Sequence, residues 1–451
     1  MRRWILPLAL VVLSFVPTAD VAFAGPPCVP TRMPAIGPAC QRADGLYEVF
    51  SDDGRRIGLV HGVDYAPADG GGAQVTPEMP ACVENGNPTP DNELPTALSY
   101  YMVVIYAVAS DRPDRYSTQA PLIRSYVQEA QGYVSESAAE VGRDVRLRVQ
   151  CVGGQIRVWD VRLDTPRSST DFASIKQSLA AGGFTDPRTK LWVWYDGPGS
   201  CGGCAGIGDV HDDSRLTPDN WNNGNGISTG LVLLPDVAVS FAQPNGFVLA
   251  HENAHNLGAV QLDAPNTSGA FHCNDGKDVM CYADGGSNSH YTEVFCSTSV
   301  YDCNHNDYFH PDRLDGSYLA GHWNIGHPFN RYIQGCYEAW GRLQAGTPGV
   351  FFSVPGINSR ASDLPTGCRG HRYAVQAIPY DVFGPDRFVN DAPRAAPYDF
   401  DVCWWNGPVF LECDQTIVGG GWEDARVPDM ASHYEVRLRA GAEVDYLFRV
   451  I

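Results

Sequence analysis

The segment HENAHNLG at positions 251–258 decides how the rest of the chain is interpreted. It contains the pattern H-E-x-x-H, and on an α-helix His251 and His255 are four residues apart and share one face. Two neutral imidazoles on one face suit Zn²⁺, which leaves a further position for water. Glu252 adjoins the first histidine, where its carboxylate can hold and deprotonate a metal-bound water. The pattern therefore predicts a zinc centre on a helix.

Two features that follow the motif strengthen this prediction. Gly258 comes at the end of the predicted helix, where glycine permits the left-handed conformation that turns the chain back toward the metal. The segment DVMCY at 278–282 then places Met280 before a tight turn and Tyr282 two residues later.

Taken together, H-E-x-x-H-x-x-G followed by M-x-Y resembles the metzincin clan of zinc endopeptidases, over roughly residues 98–325. More narrowly, the chain is similar to the secreted, cysteine-rich metzincin-like proteins of actinobacteria. The resemblance implies that His251 and His255 ligate zinc and that Glu252 is the general base. It also implies that Met280 forms the Met-turn beneath the metal. Tyr282 would then be a catalytic residue, as a zinc ligand or as a donor to the tetrahedral oxyanion.

The third zinc ligand is less clear than the first two. The clan has His or Asp three residues after the glycine, and this chain has Gln261 there. An amide oxygen can bind Zn²⁺ but is a less common ligand, whereas His272 offers an imidazole farther along the chain. Position favours Gln261, ligand chemistry favours His272, and Asp263 is a weaker candidate, so all three stay open here.

The apolar pattern predicts an α/β (α+β) domain with a mixed twisted sheet and an active-site helix, followed by an all-β module. Strands are predicted at 101–108, 145–151, 155–163, 191–195 and 231–234, and helices at 118–141, 170–181 and 246–257. After residue 327, short alternating runs lie between turn-rich stretches, which is typical of a β-sandwich-like module.

Four segments are expected along the chain. Residues 1–24 combine Arg2 and Arg3, an apolar stretch too short to span a bilayer and a small-residue cleavage site, as a signal peptide does. Residues 25–97 are loop-rich, contain a β-hairpin around the Asp53-Gly54 turn and are predicted to be an N-terminal appendage or a propeptide. The catalytic domain is expected at 98–327 and the β-sandwich-like module at 328–451.

Composition points to secretion and limits the partners. The 14 cysteines suit an oxidising compartment, and the net charge of −20 opposes binding to nucleic acid or to an anionic membrane. No segment after the signal peptide is apolar enough to span a membrane. We expect an extracellular monomer that acts on a protein or peptide.

Several local features have two interpretations. Disulfides are predicted at Cys273–Cys281, Cys296–Cys303 and Cys403–Cys413, and a structural disulfide is favoured for the CxxC at 201–204. Oxygen ligands at 302–307 fit either a Ca²⁺ loop or a turn fixed by Asx hydrogen bonds, and the turn is favoured. The aromatic segment 192–195 is expected to pack in the core, on a strand that lines a substrate cleft where a peptide adds as an extra strand.

The sequence therefore predicts a secreted zinc endopeptidase in which Glu252 activates the zinc-bound water. The alternative is a secreted binding or adhesion protein on a degenerate metzincin scaffold. Gln261 supports that alternative, whereas the retained Glu252 opposes it.

Overall fold

The structure is a computed structural model. It describes residues 30–42, 45–65, 75–84, 87–88, 100–169, 171–197, 204–224, 228–234, 245–288, 300–312, 316–343, 358–378, 399–414, 422–440 and 444–451. The predicted signal peptide lies outside these residues, as do Cys201 and Cys296.

The described part of the chain begins with a four-stranded antiparallel sheet. Its strands, in spatial and chain order, are β1 (Thr31–Met33), β2 (Gly37–Gln41), β3 (Tyr47–Phe50) and β4 (Arg56–Val60). Strands β3 and β4 form the hairpin that the Asp53-Gly54 turn predicted.

A mixed sheet forms the centre of the next region. Its described strands are β5 (Asp64–Tyr65), β6 (Ala81–Glu84), β7 (Asn87–Pro88), β8 (Tyr101–Val108), β9 (Arg146–Val152), β10 (Gln155–Ile156), β11 (Val158–Arg162), β12 (Thr189–Asp196), β13 (Cys204–Gly208), β14 (Thr229–Leu234) and β15 (Ile333–Gln334). The spatial order is β5-β13-β14-β12-β8-β9-β6-β7, with β10 and β15 paired to β9 and β11 paired to β8. Strands β6, β9, β8, β12 and β14 run parallel, whereas β13 is antiparallel to both β14 and β5.

Three α-helices of the described residues cover this sheet: α1 (Tyr116–Glu140), α2 (Phe172–Ala181) and α3 (Asn245–Leu257). Because side chains alternate along a strand, the two faces of β8 contribute to different cores. Met102, Val104 and Tyr106 pack with α1 and α3, while Val103 and Ile105 pack with α2 and the N-terminal sheet. All eight residues of β8 are therefore buried, as expected for a parallel strand covered on both faces.

The C-terminal strands form two antiparallel sheets. The strands are β16 (Tyr337–Leu343), β17 (Asn358–Asp363), β18 (Arg372–Ile378), β19 (Asp399–Asn406), β20 (Val409–Asp414), β21 (Trp422–Arg426), β22 (His433–Ala440) and β23 (Val444–Val450). One sheet has the order β16-β23-β18-β21 and the other β17-β22-β19-β20. Residues of both sheets, including Tyr373, Phe448 and Trp404, share one hydrophobic core.

The predicted fold class is confirmed, since a mixed α/β region precedes all-antiparallel β sheets. The structure corrects two details. The segment 155–163 is interrupted at Arg157 and gives two short strands, β10 and β11. The prediction that 192–195 lines a cleft where a peptide adds is wrong, because β12 lies between β8 and β14 and has no free edge. Trp192 and Trp194 are core residues.

Disulfides cross-link both the mixed α/β region and the C-terminal β region. The predicted bridges Cys273–Cys281 and Cys403–Cys413 are confirmed, and Cys82–Cys151 and Cys336–Cys368 are further bridges that the sequence had not indicated. Within the described part of the chain, no helix is long and apolar enough to cross a membrane.

Candidate metal centre

Helix α3 carries the H-E-x-x-H motif into the interior. It packs against α1, β13 and β14, and His251, Glu252 and His255 are all buried. Glycines on the two strands make room for the acidic side chain: a Cβ at Gly206 would overlap with the Glu252 carboxylate, and one at Gly230 would crowd its Cβ. The sequence thus places a carboxylate against strands that have no side chains at the point of contact.

The chain after α3 makes a long excursion before it returns to the helix. Gly258 has φ +91°, and a Cβ there would lie 2.5 Å from the side chain of Asn222, so the turn at this residue requires glycine. Phe271 also adopts a left-handed conformation, with φ +65°, directly before His272. The disulfide Cys273–Cys281 then closes the segment that follows.

Four histidine side chains converge on one carboxylate, that of Asp64. Its Oδ1 lies 3.1 Å from Nε2 of His272 and 3.5 Å from Nε2 of His251. Its Oδ2 lies 3.3 Å from Nε2 of His61 and 3.9 Å from Nε2 of His255. We call these five residues the histidine cluster.

The polar atoms of the histidine cluster are buried but largely unsatisfied. Apart from these contacts with Asp64, at 3.1 to 3.9 Å, the Nε2 atoms of the four histidines have no well-oriented hydrogen bond among the described residues, and neither carboxylate oxygen of Glu252 has one. Buried polar groups without partners cost free energy and are rare in folded proteins. Several imidazole nitrogens beside carboxylates form the donor set that Zn²⁺ prefers, so the residues present fit a zinc ion.

Hydrogen bonds behind the cluster orient two of the rings. Nδ1 of His251 donates to the carbonyl oxygen of Val279 over 2.8 Å, and Nδ1 of His272 donates to Asp284 Oδ2 over 2.9 Å. These bonds place a proton on Nδ1 and turn the Nε2 atom of each ring toward the cluster. Metal-binding histidines are usually held by such partners.

Burial and neighbouring groups together shift the pKa values of Glu252 and Asp64. Burial raises the pKa of Glu252 well above its usual range, and the negative charge of Asp64 adds to this rise. Burial acts on Asp64 in the same direction, but His61 and contacts with His251 and His272 hold its pKa well below the ordinary value. The pKa values of the two carboxyl groups are thus shifted in opposite directions.

Of the three candidates for the third ligand, only His272 lies in the cluster. The Gln261 carboxamide is engaged at both ends: its oxygen accepts the N–H of Asp213 over 2.7 Å, and its nitrogen donates to the carbonyl oxygens of His211 and Gly258. Asp263 is half-exposed and accepts hydrogen bonds from the hydroxyls of two other residues, Ser214 and Tyr318. The structure therefore places the side chains of Gln261 and Asp263 outside the histidine cluster.

The two residues of the M-x-Y segment have different surroundings. Tyr282 donates its hydroxyl to Asp64 Oδ1 over 2.7 Å, and its ring lies 4.4 Å from that of His272. Met280 is fully buried in the core that contains α3, and its N–H donates to Asp278. Tyr282 is thus at the cluster, whereas Met280 belongs to the packing around it.

The sequence reasoning did not find His61 and Asp64. Both lie in the segment assigned to an appendage or propeptide, and they contact each other from positions three residues apart. The only signal was two ligand-type residues in HGVD at 61–64, a pattern too common to separate from chance. Asp284, which holds His272, also carried no signal.

The proposed calcium loop gives a second group of carboxylates, the acidic cluster of Asp278, Asp302 and Asp307. The Asp302 carboxylate accepts the backbone N–H groups of Asn306, Tyr308 and Phe309, which is the hydrogen-bonded turn that the sequence favoured. Burial and the charge of Asp302 raise the pKa of Asp278 well above its usual value, and burial raises that of Asp307 to about 7. Calcium binding there stays a prediction.

Comparison with known proteins gives little further information. No protein-family model and no curated protein matches the chain. Solved structures of OgpA from Akkermansia muciniphila match at a low level. Wild-type OgpA has a TM-score of 0.25 and 12% identity over 81% of this chain and 89% of OgpA. Catalytically inactive OgpA in complex with an O-glycopeptide substrate, glycodrosocin, has a TM-score of 0.24 and 11% identity over 85% of this chain and 96% of OgpA. Values this low carry no argument about this chain's activity.

Proposed function

We propose that this chain is a secreted zinc-dependent endopeptidase whose metal is held by His251, His255 and His272. One observation carries the proposal: the buried Nε2 atoms of these residues all lie within 3.9 Å of a carboxylate oxygen of Asp64, yet none has a well-oriented hydrogen bond among the described residues, and the nearby carboxylate of Glu252 has none either. A structural histidine group would instead have its nitrogens satisfied by neighbouring donors and acceptors.

Each side chain has a definite task in this proposal. A bound Zn²⁺ would polarise a peptide carbonyl and lower the pKa of a water molecule at its open position to about 7. Glu252, enclosed by α3 and the glycines of β13 and β14, accepts a proton from the attacking water and passes it to the leaving amine. Tyr282 donates its hydroxyl to the oxyanion that develops on the carbonyl oxygen.

Disulfides support the extracellular setting of the proposal. The described bridges occur in both regions, and Cys273–Cys281 closes the segment between His272 and Tyr282. Bridges of this kind persist in oxidising compartments and stabilise folds outside the cell. A protein or peptide is the proposed substrate.

The test is cleavage of an unstructured protein by the zinc-loaded mature chain and by its Asp64→Ala variant. The variant is included because the Asp64 carboxylate lies against the Nε2 atoms of the proposed ligands, where a substrate and a water molecule would have to bind. We expect cleavage that a zinc chelator abolishes and that Glu252→Gln lowers about 10²- to 10⁴-fold, since it removes the general base. Glu140→Gln is the matched control, because Glu140 is half-exposed and pairs with His305, away from the cluster.

The contradictory outcome is an absence of cleavage in both zinc-loaded forms. It would favour the alternative of a binding or adhesion protein on a degenerate scaffold.

A further inference from the structure

A segment of the N-terminal region lies along the free side of the sheet's edge strand. The backbone N–H of Val210 donates to the carbonyl oxygen of Leu59, and Val60 forms an antiparallel bridge with Asp209. Strand β5 continues the pairing along β13, with Asp64 opposite Gly206 and Tyr65 opposite Cys204. Residues 59–65 thus occupy the edge that an extended peptide would need for pairing.

The register of this pairing places Asp64 at the chemical centre of the site. Gly206, its partner on β13, is the glycine that faces the Glu252 carboxylate. A peptide on the same edge would present its backbone at this point. Asp64 instead presents a carboxylate, which lies among the Nε2 atoms of the proposed ligands and accepts a hydrogen bond from Tyr282.

His61 closes the site further. Its ring packs against that of His255, with centroids 4.2 Å apart, and against the edge of the His272 ring at 4.8 Å. The side chains of His61 and Asp64 are 6% and 4% exposed. The two residues of the N-terminal segment therefore cover the proposed ligands and exclude solvent from them.

A catalytic zinc site keeps one position open, whereas a structural site is closed by four protein ligands. If Asp64 supplies a fourth ligand, no position is left for water and Glu252 has no proton to accept. Tyr282 is also prevented from acting, because its hydroxyl donates to Asp64 and is not available to a substrate carbonyl. The retained acid and phenol have tasks only when this carboxylate is absent.

We propose that residues 59–65 are an intramolecular inhibitor in which Asp64 is the fourth metal ligand and the segment fills the substrate edge of β13. The proposal rests on the zinc-peptidase function above and adds that the chain is latent as long as this segment is in place. Release requires Asp64 to leave the cluster, which frees one ligand position, the Tyr282 hydroxyl and the edge of β13 together.

The experiment compares the full mature chain with Asp64→Ala, Asp64→Asn and Asp53→Ala. Asp53 is the matched control, since it lies in the same N-terminal region, is solvent-exposed and bonds locally to Ser51. Acetohydroxamate is the probe, because it binds zinc only at an open position and reports no peptidase activity. Chelator competition measures the zinc affinity of each form, and urea unfolding confirms that each form is folded.

Asp64→Ala is expected to bind the hydroxamate at least about tenfold more tightly than the parent chain, because the position is open. It should also release zinc to a chelator at least about tenfold more readily, since even the outer partners of metal ligands contribute that much to affinity. Asp64→Asn keeps the size of the side chain and an acceptor for Tyr282, so it should show the same changes to a smaller extent. Asp53→Ala should match the parent chain.

The inference is overturned if the parent chain binds the hydroxamate as tightly as Asp64→Ala, with zinc affinity unchanged. Failure of the proposed function gives a different result: Asp64→Ala gains hydroxamate binding but cleaves no protein. Gains in both hydroxamate binding and cleavage support the two proposals together.

Discussion

The histidine cluster and the acidic cluster adjoin the same short stretch of chain, yet their polar atoms are satisfied to different degrees. In the acidic cluster, Asp278 accepts hydrogen bonds from the N–H groups of Met280 and Cys303 and from the Tyr308 hydroxyl. Asp302 accepts from three backbone N–H groups. In the histidine cluster, by contrast, the Nε2 atoms of the four histidines approach only Asp64, and none of them has a well-oriented hydrogen bond among the described residues.

Under the proposed function, this difference separates a hydrogen-bonded structural turn from a ligand site. Both clusters are buried, both contain carboxylates, and both include a carboxyl group, Asp64 or Asp278, whose pKa lies far from its usual range. Burial and charge therefore do not distinguish them. The two clusters differ in whether their buried polar atoms have hydrogen-bond partners. A folded protein tolerates buried polar atoms without partners chiefly where a ligand supplies the partner.

The largest expected effect tests whether the histidine cluster is a ligand site, and it is a change in zinc affinity. His272→Ala is expected to weaken zinc binding by roughly 3–5 kcal/mol, about 10³-fold, if three imidazoles share a binding free energy of about 10–16 kcal/mol. Gln261→Ala should leave zinc affinity unchanged, because both ends of its carboxamide bond to the backbone. Zinc content after dialysis, with a chelator-competition titration, measures both. Zinc lost from the Gln261 variant and kept by the His272 variant would reverse the assignment.

Local patterns predicted most of the elements around the site. The eight-residue apolar run at 101–108 is β8, and the helical spacing at 118–141 corresponds to α1 at Tyr116–Glu140. These segments are determined by burial of their own side chains, which the sequence shows directly. The position of β12 within the sheet could not be predicted in this way. Strand order depends on pairing between distant segments, and an apolar run looks the same at the centre and at an edge.

The site was predictable only where its residues lie close together in sequence. The motif on α3 gave His251, Glu252 and His255, and M-x-Y gave Tyr282. His272 was one of three candidates, because the excursion after Gly258 is longer than the motif implies. Asp64 was not predictable, because it is 187 positions before His251 and reaches the cluster only through the pairing of β5 with β13.

The acidic cluster allows a second prediction, this time of stability. Asp302→Ala is expected to lower the free energy of unfolding by about 3 kcal/mol, since it leaves three backbone N–H groups, those of Tyr308 and Phe309 being buried, without an acceptor at about 1–3 kcal/mol each. Urea unfolding of the metal-free protein measures this. Asp302→Asn should cost less, because burial and the charge of Asp307 already raise the pKa of Asp302 and favour its neutral form.

Added calcium decides between the two interpretations of this cluster. If it is only a hydrogen-bonded turn, calcium leaves the melting temperature of the parent chain unchanged. A rise with calcium that Asp302→Asn abolishes would instead make the acidic cluster an ion site and remove the contrast drawn above.

The last prediction concerns Lys190, a buried cation, and the change in the free energy of unfolding with pH that it causes. Its Nζ donates to the carbonyl oxygen of Asn256 over 2.7 Å and lies 4.5 Å from the centroid of the Tyr332 ring, but burial still lowers its pKa to about 7. In the unfolded chain the pKa returns to about 10.4, so between these values the unfolded state binds more protons than the folded state. Stability should therefore rise with pH across this window, by at most about 1.4 kcal/mol per unit from this residue. Lys190→Met should flatten that rise in urea unfolding measured from pH 7 to 10. An equal slope in both proteins would show that the contacts of Nζ with Asn256, Ser228 and the Tyr332 ring keep the ammonium charged in the folded state.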